Sequence, residues 1–103
     1  MLPAHSVDAV LIAFAYHHFG EPAAMLAHIR TSLRPEGRLV VIEAISEKNR
    51  GLPREQQVKD HELSPEVLRG ELASAGFQIA KGTETLVDSD GVLRYLFSAR
   101  AAK

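Results

Sequence analysis

The chain has no cysteine among its 103 residues. It therefore has neither a disulfide framework nor a thiolate metal site, which fits a protein of the reducing cytoplasm. No sign of charge dominates: 12 Lys and Arg stand against 13 Asp and Glu, interspersed, for a net charge of −1. That balance argues against nucleic acid or an anionic membrane as a partner. The longest apolar run, Ala9 to Tyr16, is too short to cross a bilayer. No basic-then-apolar leader precedes it, so no secretion signal is expected. There is no internal repeat, no low-complexity tract and no Gly-x-Gly. What these absences leave is one domain at most, with enough chain to build a core.

What is present begins with Val7 to Phe14, which does not alternate apolar with polar after Asp8. It reads as a strand buried on both faces, the habit of parallel sheets. After a short polar and aromatic stretch, Tyr16 to Gly20, the pair Glu21-Pro22 opens a helix with proline at its first position. Met25, Leu26, Ile29 and Leu33 form its apolar stripe, and the helix should run to about Leu33. Pro35 cannot continue it and Gly37 permits a tight reversal. Arg38 to Ile45 is then a second buried strand. Strand, crossover helix and strand make parallel neighbours.

Beyond Ile45 the composition changes. Ser46 to Asp60 is rich in charge and contains Gly51 and Pro53, which predicts an exposed connection with one helical turn after Pro53. Ser64-Pro65-Glu66 combines an N-cap, a proline at the first helical position and an acid in the first turn. Leu68, Leu72 and Ala75 give that helix its stripe, with Val67 alongside. Gly76 sits where a left-handed C-terminal residue belongs, followed by Phe77. Phe77 to Thr85 has the partial alternation of an edge strand. Asp88-Ser89-Asp90-Gly91 is a turn, and Val92 to Ala99 is an antiparallel partner.

With these parts in place, the chain resembles the small-molecule branch of the class I S-adenosylmethionine-dependent methyltransferases. The resemblance rests on Val7-Asp8-Ala9-Val10, His17-His18-Phe19, the Leu33-Arg34-Pro35-Glu36-Gly37-Arg38 turn, and Leu72-Ala73-Ser74-Ala75-Gly76-Phe77. It covers essentially the whole chain, 1–103, as the C-terminal half of such a domain. It implies an α/β fold, half of a Rossmann-like sheet. Two parallel strands and a C-terminal antiparallel hairpin would stand in the spatial order first, second, fourth, third, with two to three helices. The family's Gly-rich cofactor turn and ribose-binding acid have no counterpart here.

The resemblance further implies S-adenosylmethionine as cofactor and a small-molecule methyl acceptor, with the loop 46–63 as the substrate's cover. Ala13, Phe14 and Ala15 fall where strand-end backbone would touch the cofactor; otherwise they are the last buried residues of a strand. His17 and His18 are the candidates for accepting a proton from the acceptor, and Tyr16 for orienting it. In an extended chain adjacent residues point to opposite sides, so at most one of the two histidines would face the site. His61 is a candidate substrate contact, or simply an exposed loop residue. Glu43 would either meet ligand or end its strand in solvent. The five histidines include no i, i+4 pair and there are no thiolates, so no metal site is expected.

Three functions follow from this pattern. The chain could be the C-terminal half of a methyltransferase, inactive without a complementary N-terminal half. It could be a non-catalytic interaction module that forms a homodimer through its exposed first strand. It could also be a dimer that rebuilds a cofactor cleft from two copies.

Overall fold

A computed structural model describes residues 3–83 and 91–102. Four strands form one sheet: β1 (Val7–Ala13), β2 (Leu33–Ser46), β3 (Phe77–Thr83) and β4 (Val92–Ala101). Their order is β1-β2-β4-β3, with β1 parallel to β2 and β4 antiparallel to both its neighbours. This is the order and orientation expected from the sequence. Three α-helices, α1 (Pro22–Ser32), α2 (Arg54–Lys59) and α3 (Pro65–Ser74), and a single 3-10 turn at Tyr16–His18 complete the described chain.

The crossover from β1 to β2 departs from expectation in two respects. Helix α1 ends at Ser32, and it buries Leu26, Ile29 and Ser32 while Met25 lies 40 % exposed, outside the stripe assigned to it. Pairing with β1 then resumes at once: Leu33 faces Val7, and the next pair is Ala9 with Arg38. Arg34 to Gly37 are thus looped out of a strand that begins five residues earlier than the sequence suggests. Gly37 is needed there for space. A Cβ at this position would lie 2.9 Å from the Arg34 carbonyl oxygen and 3.0 Å from that of Asp8.

Helix α3 begins as its sequence announces. The Ser64 side chain accepts a hydrogen bond from the Val67 N–H, a cap worth about 1 kcal/mol. Its end is set by Gly76, at φ 87, where a left-handed backbone costs glycine little. The Gly76 carbonyl accepts from Arg30 Nε on α1, and Arg30 also donates to the Ala102 carbonyl, which joins both helices to the end of β4.

The core lies on one face of the sheet. Leu26 and Ile29 of α1 and Leu68 and Leu72 of α3 cluster there with Ile12, Leu39, Val41, Ile45, Tyr95, Phe97 and Ala99. The opposite face is not buried anywhere along β2 and β4. On β1, Leu11 is 65 % exposed. The expectation that β1 is buried on both faces therefore fails: it is an edge strand covered on one side only.

The connection after β2 is exposed over most of 46–60, as expected, but it is anchored from within. Asn49, Gln57 and Leu63 are buried within it. Gln57 donates to the carbonyls of Arg50 and Leu52 and accepts from the Ser64 N–H, so one amide closes the segment on itself. Leu63 donates its N–H to Ala44 and receives the Tyr95 hydroxyl on its carbonyl, at 2.7 Å, which latches the segment to the sheet. The one-turn helix expected after Pro53 is α2. Glu84, Thr85 and the Asp88-Ser89-Asp90 turn lie outside the described residues.

Candidate functional site

Because β1 and β2 are parallel, their carboxyl ends lie on the same side of the sheet, and the segments that follow converge there. Phe14 extends the ladder by donating its N–H to the Ile42 carbonyl at 2.8 Å, but its φ of 56 turns the chain out of the sheet. A left-handed backbone is uncommon in a bulky residue, and such positions gather at functional sites. Ala13, Phe14 and Ala15 are all exposed, so they are not the last buried residues of a strand.

The 3-10 turn that follows is closed by the His18 N–H on the Ala15 carbonyl and the Phe19 N–H on the Tyr16 carbonyl. This curvature overturns the expectation that the two histidines diverge. Their ring centroids are 4.2 Å apart, and each lies 5.8 Å from the ring of His61, which the loop 46–63 brings in from the other side. His61 itself is exposed and holds a left-handed φ of 61.

His17 is buried and tied to Glu43, the residue one beyond the last position of β2 that pairs with β1. Both Glu43 oxygens lie within hydrogen-bond reach of His17 Nδ1, at 2.9 and 3.1 Å, and Oε2 also accepts the His17 backbone N–H. Glu43 is fully buried. Of the two expectations for it, the one that ends the strand in solvent therefore fails. Facing two carboxylate oxygens, Nδ1 is the donor of this pair, and in the neutral ring Nε2 then carries the lone pair. That Nε2 is buried and has no hydrogen-bond partner among the described residues.

Tyr16 points the other way. It is fully buried, and its hydroxyl donates to Glu71 of α3 at 2.9 Å. Burial, then the Glu71 hydrogen bond, pushes its pKa well above the ordinary tyrosine value. Glu71 is also paired with Arg54 of α2, so Tyr16 helps to fasten both helices beneath the site. Of the predicted residues, the fold brings His17, His18 and His61 together beside Ala13 to Ala15. Tyr16 alone is turned into the core. Sequence reasoning missed the His17–Glu43 pair. No local signal announces it: the pair forms because Ala13 faces Ile42, which brings the turn after β1 beside Glu43.

A concavity of about 820 Å³ lies at the opposite end of the sheet, lined by His5, Arg30, Arg34 and Arg100 among others and by none of the strand-end residues. Arg34 there is paired with Asp8 at the surface.

With the geometry known, the chain can be compared with others. Residues 1–41 match the family model described as a methyltransferase domain. No curated protein is significantly similar in sequence. Among solved structures, a SAM-dependent methyltransferase from Aquifex aeolicus superposes with a TM-score of 0.69 at 22 % identity, over 94 % of this chain and 48 % of that one. A type 11 methyltransferase from Sulfolobus solfataricus, itself described as putative, gives 0.70 at 17 %, over 99 % and 54 %. The 1,6-didemethyltoxoflavin-N1-methyltransferase of Burkholderia thailandensis, with bound 1,6-didemethyltoxoflavin and S-adenosylhomocysteine, gives 0.73 at 18 %, over 100 % and 47 %. The chain thus carries a methyltransferase-domain match over residues 1–41 and has, over nearly all its length, the α/β fold of the S-adenosylmethionine-dependent methyltransferases, spanning about half of each.

Proposed function

We propose that this chain is the C-terminal half of a methyltransferase for small molecules, and that it completes a methyl-transfer site together with a complementary N-terminal half. The observation that carries this reading is the strand-end cluster. Small exposed residues, Ala13 and Ala15, flank a left-handed Phe14 at the carboxyl end of β1, where open α/β sheets bind their ligands. When bound, S-adenosylmethionine supplies a methyl group on a sulfonium. The residues present suit one side of that cofactor, since the absence of large side chains at 13 and 15 lets a ligand approach the backbone.

The chain's own residues would do the remaining work on the acceptor. His17, oriented by Glu43, presents Nε2 as a proton acceptor, while His18 and His61 rim the same space. The loop 46–63, latched through Leu63, covers the acceptor and excludes water. Alignment of donor and acceptor accounts for most of the rate in such a reaction, so the proton acceptor adds a smaller factor. A Gly-rich turn and a ribose-binding acid are missing from this sequence, and the complementary half would supply them. That half would pair with the free edge of β1 and cover Leu11 and the uncovered face. The solved relatives are about twice as long as this chain, which leaves room for such a half in the fold.

The bare face also favours a second reading, in which the chain is a non-catalytic module whose homodimer joins two β1 edges. Titration with S-adenosylmethionine, followed residue by residue through amide chemical shifts, tests the first reading. Weak binding with shifts confined to 13–18 and 43–47 is expected, from a monomer by sedimentation. A folded dimer whose shifts do not respond would overturn it in favour of the interaction module.

A further inference from the structure

The three histidines at the strand ends form a constellation that methyl transfer does not require. His17, His18 and His61 each offer a ring nitrogen, and these atoms all lie within 4.8 Å of one another. A tetrahedral zinc with Zn–N bonds of about 2.0–2.1 Å holds its nitrogens roughly 3.4 Å apart. Small rotations of two exposed rings, those of His18 and His61, are enough to close the difference.

A separate observation concerns the third ring. His17 is 5 % exposed and its Nε2 has no partner among the described residues, although buried polar atoms are almost always satisfied. Its other nitrogen is held by a buried carboxylate, Glu43 Oε2, at 2.9 Å. A histidine whose far nitrogen is fixed by a carboxylate, leaving a lone pair free on Nε2, is the arrangement that orients and strengthens a metal ligand. The His17 ring that carries it lies 4.2 Å from the His18 ring and 5.8 Å from the His61 ring, centroid to centroid.

From these features we infer that His17, His18 and His61 bind a divalent transition metal of the zinc class, with Glu43 positioning His17. Three neutral imidazoles suit zinc, copper or nickel rather than magnesium or calcium. Because His18 and His61 lie at the surface, the fourth position faces solvent and is open to water or to an oxygen-bearing ligand. The two nearest sequence neighbours, His17 and His18, supply one side from the turn after β1, and the loop 46–63 supplies the other, so metal would also tie that loop to the sheet. This inference does not depend on the methyl-transfer reading: with metal bound, His17 Nε2 is a ligand and no longer that reading's proton acceptor, and metal binding is measured without cofactor or acceptor.

The test is titration of the full chain, shown to be folded by circular dichroism, with zinc in competition with a chromophoric chelator, and with cobalt(II) followed by its visible absorption. One equivalent of zinc should bind with micromolar affinity or better, and cobalt should give the intense ligand-field bands of a tetrahedral site. His61→Ala and His18→Ala, both at exposed positions, should each weaken zinc binding at least tenfold. Glu43→Gln should weaken it ten- to a hundredfold while keeping all three ligands, and His28→Ala, on the exposed side of α1, should change nothing. Absence of saturation at one equivalent, an octahedral cobalt spectrum, or unchanged affinity in both His61→Ala and His18→Ala would each overturn the inference.

Discussion

The two faces of the sheet are built from the same strands and obey different rules. On one face, Ile12, Leu39, Val41 and Phe97 are buried under α1 and α3. On the other, their neighbours Leu11, Val40, Ile42 and Leu96 are almost as apolar, and Leu11 stands mostly in solvent. Composition does not separate them. What separates them is whether the chain supplies a covering layer, and for one face only it does. An apolar face without its cover marks a place where something else packs.

Truncation of the buried face provides the largest contrast. Phe97→Ala should cost about 3–5 kcal/mol in denaturant unfolding, through lost burial and the cavity left behind. Leu11→Ala, on the other face, should stay within about 0.5 kcal/mol in the chain alone. A large loss for Leu11→Ala in the isolated monomer would mean that the bare face is covered after all. The next effect in size lies in the polar layer beneath the covered face. Glu71→Ala strips the acceptor from the buried Tyr16 hydroxyl and the partner from Arg54, at a cost of about 1–3 kcal/mol. Adding Tyr16→Phe to that background should recover part of the loss, and a purely additive double variant would refute the coupling.

The smallest effect is at the rim, where Arg50 pairs with Glu66 in solvent. The hydrogen bond from Arg50 holds the Glu66 carboxyl below its usual range. A depressed folded-state pKa contributes stability above the ordinary carboxylate pKa, and that contribution is lost as pH falls through the lowered value. For an exposed pair it amounts to less than about 1 kcal/mol. Glu66→Gln should therefore lower stability at neutral pH by less than about 1 kcal/mol and flatten the acid limb, the two chains converging once pH falls below the lowered value.

The contrast between the faces also sets what the sequence could reveal. Element order was legible because proline, glycine and capping residues mark it locally: Pro22, Ser64-Pro65 and Gly76 stand where the helices begin and end. Strand order followed from a resemblance, and the fold has it. Burial was not legible for β1, since an apolar strand reads alike whether or not a second layer covers it. Nor was the site. His17 and Glu43 are separated by 26 residues and meet only through the β1–β2 register, and His61 reaches them from a segment whose charge suggested solvent. The inward turn of Tyr16 depends on a 3-10 turn that no local signal announced.

The position of β4 between β2 and β3 bears on how the molecule is assembled in time. Its partner positions lie far back in the chain, Leu39 facing Ala99 and Phe77 facing Ala101, so of these four strands one at the sheet's centre is the last to be synthesised. Until it arrives, β2 has one vacant edge and β3 has no neighbour in the sheet at all. These four strands therefore cannot add to the sheet one by one in the order in which they are synthesised. The sheet must wait for the insertion of β4, a long-range closure that slows the search and leaves sticky edges exposed meanwhile.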